Sequence, residues 1–357
     1  MRVAIVSVGG QPLSPTTPAK ARKLIKDKIA VPKRNDMGIF YLQLTRSVGT
    51  KVPHKTVIGN DPGKLYSGIG VQTPKATLWM GHLNLPFKAV KKAMKARRNL
   101  RRGRRYRKTP CRECRFLHRT GHKLPPSIKS NRQLELRIIQ ELCKIFPVTD
   151  IVYEIVKAKG NKSFSPVMVG QNWMVKQLSK LAQTHTLFGY ETSAIRKYLR
   201  LSKDNHKSNP NPATHAVDGI ALAASELINY KRLTTKNSEG YIWVGECIIT
   251  ESPFAIIQRP QLFRRKLHVE NPAKGGMRKR HGGTTTPYGF RKGDYVEAIK
   301  ANNIVRGYIS GYSESNNVLS IADHAWKRIG QFAVSKVRLL RRATGILVDS
   351  KNAVTII

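Results

Sequence analysis

The chain has 357 residues, with 65 lysines and arginines against 21 aspartates and glutamates, a formal net charge of +44. Such an excess costs compactness through self-repulsion, and no small acidic metabolite calls for it. A polyphosphate partner gains affinity from each phosphate neutralised, so the composition argues against small-molecule chemistry and for nucleic acid, a membrane surface or a ribosomal-type structural role being the other uses of so much charge.

The length gives room for two or three domains, and 40 % apolar residues suffice for real cores. Four cysteines (Cys111, Cys114, Cys143, Cys247) are too few to staple the chain, which implies a reducing, cytoplasmic setting. The apolar run from Val3 to Val8 lacks the length and cleavage site of a signal peptide, and no run of about 18 apolar residues forms a membrane span.

Residues 1–55 read as a small module. Val3–Val8 is a strand, 9–15 a loop, and Thr17-Pro18 opens a lysine-rich helix from Ala19 to Lys28, with Thr as N-cap and Pro at the first helical position. Ile39–Leu44 is a second strand. Residues 56–85 give three close strands, 56–60, 68–73 and 77–83. Asp61 stands at the end of the first, before a Pro62-Gly63 turn. An Asp there is commonly no more than a turn residue.

Residues 86–110 change character. Helical propensity from Phe87 continues into an arginine block, and Lys88 to Lys108 holds twelve cations and no acid. Like charges at i,i+4 repel, so the helix needs phosphates around it; a disordered basic arm is the plain alternative. Arg97, Arg98, Arg101, Arg102, Arg104, Arg105 and Arg107 offer planar forks suited to phosphate.

In 111–230, Cys111, Cys114, His118 and His122 are spaced too tightly for a two-Cys two-His finger, and no structural zinc is expected. Ser130–Ile145 is an amphipathic helix stopped by Pro147, and Thr149–Val156 a β-branched strand carrying Glu154. A carboxylate in such a strand is paired, bound to a cation, or on an edge facing water. A helix follows at Asn172–Gln183, then a strand-helix stretch around Gly189–Leu201, then a helix from Ala213 capped by Thr214. His215 and Asp218 share one face of its first turn. From 231 to 357 the chain is irregular, then β-rich, with five short strands, at Gly289–Glu297, Ile304–Ser310, Val318–Ile321, Gln331–Leu340 and Gly345–Val348, that predict a small barrel or sandwich.

Asp61, Glu154 and Asp218, with His215 beside the last, follow the order of an RNase H-like nuclease core. There carboxylates converge on two divalent cations, one lowering the pKa of the attacking water and the other stabilising the leaving oxyanion. Hard Mg2+ suits these oxygens, and His215 suits a general base or a group that orients a water.

Asp61-Pro62-Gly63 followed by Ser67-Gly68-Ile69-Gly70-Val71, Tyr153-Glu154, and His215-Ala216-Val217-Asp218 resemble the three RuvC motifs of RNA-guided OMEGA nucleases. Arg101-Arg102-Gly103-Arg104-Arg105 is similar to the arginine signature of their bridge helix, and Pro12-Leu13-Ser14-Pro15 resembles the N-terminal PLMP module, with Ser for Met. Gly282-Gly283 and the stretch from Gly289 resemble the C-terminal domain that reads the target-adjacent motif. The 60 residues of 155–214 carry no HNH nuclease signature. The chain therefore resembles the HNH-lacking IsrB family, a resemblance that covers nearly all of it.

The resemblance implies an α/β fold: a PLMP module (1–55), RuvC part I (56–85), a bridge helix (86–110), RuvC parts II and III (111–230) and a β-rich C-terminal domain (231–357). It implies an omega-RNA-guided nickase, monomeric within its ribonucleoprotein, that cuts the non-target strand of double-stranded DNA. Asp61, Glu154 and Asp218 would hold two Mg2+ ions, which Mn2+ can replace. The bridge-helix arginines would bind RNA, and Arg278, Arg280, Arg291, Lys292 and Arg328 are candidates to read the flanking motif. An RNA-independent nuclease of resolvase type and a non-catalytic binding protein of a mobile element are the rival readings.

Overall fold

The computed structural model describes residues 1–47, 53–108, 124–157, 165–234, 239–260, 286–300 and 303–356. Their contacts divide them into two units, Met1–Ile257 with Ser350–Ile357, and Gln258–Asp349. Cys111, Cys114, His118, His122, Arg278 and Arg280 lie outside the described residues.

The first unit opens with a four-stranded sheet in the order β2-β1-β4-β3. The apolar run at Val3 forms β1 (Val3–Val6), and the stretch expected to be a loop becomes β2 (Pro12–Thr16). Its prolines are tolerated because Pro12 opens an edge strand and the register slips between Val3 and Ile5. The next helix, α1 (Pro18–Lys26), starts as expected, with the Thr17 hydroxyl accepting from the Lys20 amide. An unexpected edge strand, β3 (Ala30–Arg34), pairs with β4 (Phe40–Leu44).

The central sheet of this unit has seven strands. β5 (Val57–Pro62), β6 (Tyr66–Thr73) and β7 (Ala76–Asn84) form an antiparallel meander. The chain then enters α2 (Phe87–Tyr106), the arginine helix, and α3 (Pro126–Cys143). β8 (Asp150–Ile155) lies parallel to β5 on one side and to β9 (Gln183–Phe188) on the other. Glu154 is therefore not on an edge strand. The helix α4 (Pro166–Leu178) begins six residues before the expected Asn172, because Ser165 caps it and Pro166 takes the first helical position; Gln183 already belongs to β9. α5 (Gly189–Tyr198) follows.

Thr214 does not cap a helix. The chain makes a π-helical turn over Pro212–Ala216 before α6 (Val217–Ala224), and the Thr214 hydroxyl donates to the Asn211 carbonyl at 2.8 Å. A hairpin, β10 (Ile228–Thr234) with β11 (Glu239–Gly245), and β12 (Ser252–Gln258) complete this stretch. Sheet order is β18-β12-β7-β6-β5-β8-β9, with β18 (Leu347–Val354) supplied by the chain's end.

Side-chain alternation separates the two faces of this sheet. Ile58, Ile69 and Tyr153 are buried on one, while Gly59, Asp61, Gly68, Gly70, Val152 and Glu154 share the other. α6 packs on that second face, where Leu222 and Ala223 meet Val57 and Val152.

The second unit is a five-stranded antiparallel sheet of β13 (Tyr295–Lys300), β14 (Asn303–Ser313), β15 (Val318–Ala322), β16 (Arg328–Ala333) and β17 (Val337–Arg341). Two expectations change here. The single strand predicted for Gln331–Leu340 is broken by a 3-10 turn at Val334–Lys336, and its halves lie at opposite edges of the sheet. The strand predicted near Gly345–Val348 joins the seven-stranded sheet instead.

Candidate active site

In β5, Asn60 pairs with Tyr153 of β8, so the next residues, Asp61 and Glu154, stand side by side near the carboxyl ends of two parallel strands. Both side chains point to the α6 face. There, α6 and its preceding π-turn bring buried Asp218 and His215. His215 Nδ1 lies 3.3 Å from Asp61 Oδ2. Asp218 does not meet His215; it takes Arg196 at 2.6 Å, and Lys203, onto its two oxygens. Glu154 accepts from the Thr192 hydroxyl at 2.7 Å. A single helix, α5, thus contacts Glu154 through Thr192 and Asp218 through Arg196.

A close glycine contact sets this geometry. An added Cβ at Gly68 would lie 1.8 Å from the His215 carbonyl oxygen, and one at Gly59 would lie 2.0 Å from that of Gly219. The backbone of α6 rests directly on the strand backbones, and its first turns are held against Asp61.

The opposite face carries a buried polar network. Arg132 of α3 lies 3.0 Å from Glu135 Oε2, and donates to the Tyr153 hydroxyl at 2.5 Å and to the Gly63 carbonyl at 2.8 Å. Asn131 donates to the Lys64 carbonyl at 3.0 Å, and the Leu85 amide to that of Leu65 at 2.8 Å. The carbonyls of Gly63, Lys64 and Leu65 in the turn after Asp61 are therefore fastened, two from α3 and one from Leu85, two residues ahead of α2. Burial pushes the Glu135 carboxyl up while the guanidinium pulls it back. The net result is a carboxyl raised to about 7, with the permanently charged guanidinium opposing the rise. Arg132→Met should destabilise the protein by about 3–5 kcal/mol, since it strands a buried carboxylate, and adding Glu135→Leu should recover most of the loss. Urea unfolding of the two variants measures both steps.

Desolvation, then the neighbouring Asp61 charge, raise the Glu154 carboxyl from 4.5 to about 7; Thr192 and Lys203 oppose the rise and Asp218 adds to it. Folded protein therefore holds a proton there that unfolded protein releases. The associated stability is complete below 4.5 and lost as pH rises through about 7. In chelator, Glu154→Gln should gain on the parent protein as pH climbs through that window. Adding a divalent cation should reverse the order, because a bound cation favours the ionised form. Melting temperatures across the pH range read this directly.

His215 Nε2 is buried without a partner, as is His82 Nε2, and the two rings meet edge to face at 5.3 Å. Burial, then the neighbouring His215, lower the His82 imidazole to about 4, so it stays neutral. His215 Nδ1 faces Asp61 Oδ2 at 3.3 Å, which leaves the buried Nε2 as its unpartnered ring nitrogen.

The donor set suits a hard divalent cation: three carboxylates on one face, one of them with a raised pKa in part because the others are near. Asp218 is already charge-neutralised by Arg196 and Lys203, so a cation there shares its oxygens with two side-chain cations. Among the described residues, the one group of three ligand side chains with atoms within 4.8 Å of one another is Asp150, His185 and Glu226. It occupies the other end of β8, four residues before Glu154, or about 13 Å at strand rise. Lys55 sits 3.7 Å from Asp150 and 3.2 Å from Glu226, where it acts as their counterion.

All seven candidate arginines of the basic helix are exposed, and among the described residues none reaches a carboxylate. Arg291, Lys292 and Arg328 are exposed in the second unit. Sequence reasoning missed Thr192, Arg196, Lys203, His82 and the Arg132 network. The close set Gly59, Gly68, Gly70 and Gly219 was its one legible signal for a tight helix-sheet contact.

The strand order β7-β6-β5-β8-β9, antiparallel through β6 and parallel across β5, β8 and β9, with carboxylates at the ends of two central strands, defines an RNase H-like core. A family profile described as "RRXRR protein" matches residues 3–171. The chain is similar to Thermus thermophilus RuvC in complex with a Holliday junction substrate, at 12 % identity and a TM-score of 0.27 over 48 % of this chain and 90 % of that one. A second Thermus thermophilus RuvC structure is 10 % identical, with a TM-score of 0.25 over 47 % and 90 %. No curated protein matches significantly. Among the described residues no helix is long and apolar enough to cross a membrane.

Proposed function

We propose that the chain is an RNA-guided DNA endonuclease of the IsrB kind, which nicks the non-target strand at one metal-dependent centre. The observation that carries this reading is the adjacent pair Asp61 and Glu154, facing the helix that bears Asp218 and His215. Asp61, Glu154 and Asp218 would hold Mg2+. Divalent cations bound there supply activation of water and neutralise charge at the leaving oxygen. His215 is oriented by Asp61 and accepts a proton at Nε2. Arg196 and Lys203 limit the charge around Asp218.

The exposed arginines Arg97, Arg98, Arg101, Arg102, Arg104, Arg105 and Arg107 grip phosphates of an omega RNA and its heteroduplex, without reading sequence. Residues of the second unit, Arg291, Lys292 and Arg328 among them, read the flanking motif. A single centre cuts a single strand.

The test is to sequence the RNA that co-purifies with the full chain and to offer the complex a supercoiled plasmid carrying the matching target. The expected product is nicked circle, dependent on both RNA and Mg2+. Cutting of branched DNA by RNA-free protein would replace this reading with a resolvase-type activity. No cutting at all with correct guide and flank would leave a binding protein.

A further inference from the structure

The β10–β11 hairpin carries a column of aromatic rings that the nuclease site does not use. Its register pairs Tyr230 with Trp243 and Arg232 with Tyr241, so these four side chains share one face. Tyr198, at the end of α5, stacks on Trp243 with ring centroids 4.7 Å apart; Trp243 meets Tyr230 at 5.0 Å, and Tyr230 stacks on Tyr241 at 5.1 Å. Trp243 is anchored on the buried cluster around Phe254 and Ile228. Exposure is 45 % at Tyr198, 58 % at Tyr230 and 62 % at Tyr241. Three large amphipathic rings held in a column, and left in water, form a surface made for a ligand with flat faces.

The charge beside the column selects that ligand. Lys231 and Arg232 are exposed on the hairpin, Lys197 and Arg200 flank Tyr198, and residues 228–232 and 240–245 carry no acid. Flat faces joined by negative charge describe nucleic acid, and only unpaired bases have faces free to stack. Among the described residues Tyr241 stacks with Tyr230 alone, so a base can extend the column at its outer end. The inner end is two residues from Arg196, which touches Asp218.

We propose that Tyr198, Trp243, Tyr230 and Tyr241 form a stacking platform for the bases of a single nucleic-acid strand. That this strand continues to the carboxylates rests on the nuclease reading above; the binding itself does not.

The experiment uses the full chain in chelator, which removes cleavage, and about 0.4 M salt, which weakens phosphate contacts. A 20-nucleotide single strand containing bromodeoxyuridine is photo-cross-linked and the modified peptides are mapped. Cross-links at Tyr230, Tyr241 or Trp243, seen with the single strand and absent with the duplex, are the expected result. The pair Tyr230→Ala and Tyr241→Ala should bind the single strand about 10–100-fold more weakly, at the scale of stacking per base, with duplex affinity unchanged. The corresponding Phe pair should bind like the parent protein.

Cross-links only elsewhere, equal loss for single strand and duplex, or failure of the Phe pair would overturn the proposal. So would a doubled mass in light scattering that the Ala pair abolishes, since the face would then be covered by a second copy. Because no cutting is needed, a negative result here is distinct from a failure of the nuclease assignment.

Discussion

Asp61→Ala is expected to cut the nicking rate by well over about a hundredfold, since loss of a mere supporting partner of a metal ligand already costs 10–100-fold. RNA binding and guided DNA binding should persist, because the exposed arginines lie on a separate helix. Three consequences of removing this carboxylate are separable. A metal ligand goes. His215 loses the acceptor 3.3 Å from its Nδ1, and with it the bond that fixes its tautomer. The charge that helps raise Glu154 also goes, so the Glu154 carboxyl should titrate lower than about 7. Single-turnover nicking and the pH dependence of metal-induced stabilisation check the first and third. Asp61→Asn keeps the shape and an acceptor for His215 but not the charge. If Asn restores cutting, the carboxylate is not a metal ligand and the site assignment fails.

Gly68→Ala is expected to destabilise the fold strongly and at the site itself. Its new methyl would lie 1.8 Å from the His215 carbonyl oxygen and 2.3 Å from the His215 carbonyl carbon, both backbone atoms that no rotamer change can move. Overpacking against side chains costs about 1–3 kcal/mol, and a clash with backbone should reach or exceed the top of that range. A loss of about 3 kcal/mol corresponds to a melting temperature lower by about 6–12 °C. Gly311→Ala, where the nearest atom is the Ser320 Cβ at 3.9 Å, is the control and should stay within about 0.5 kcal/mol of the parent. Where Gly68→Ala does fold, α6 must shift away from β6. Nicking should then fall further than stability does, because His215 moves with the helix. Differential scanning calorimetry beside the nicking assay separates the two.

What the sequence made legible was local. Alternation and turn residues marked β5, β6, β7 and β8, and arginine-rich helical propensity marked α2, because each pattern is complete within a dozen residues. The faults lay where a distant partner decides the outcome. Pro12–Thr16 looks like a loop until β1 gives it a ladder to join. Glu154 looks fit for an edge until β9 covers the far side of its strand. Thr214 reads as a helix cap, yet its hydroxyl turns to Asn211 and to His82, 132 positions away in the chain. The same limit applies to the site. The carboxylates and His215 stand in short motifs, whereas Arg196, Lys203 and Arg132 become part of it only through the packing of α5 and α3.

The last strand changes how the molecule can be dissected. β18 follows the second unit in the chain yet pairs with β12, the strand that precedes it. The second unit is thus an insert spliced into a sheet, not an appendage hung from its end. Truncation after Ile257 would strip the seven-stranded sheet of its outermost strand and expose the ladder of β12 to stray pairing. A faithful deletion keeps Ser350–Ile357 and bridges the two junctions with a linker. That form of the protein would show whether guided cutting needs the insert, with the nuclease fold still whole.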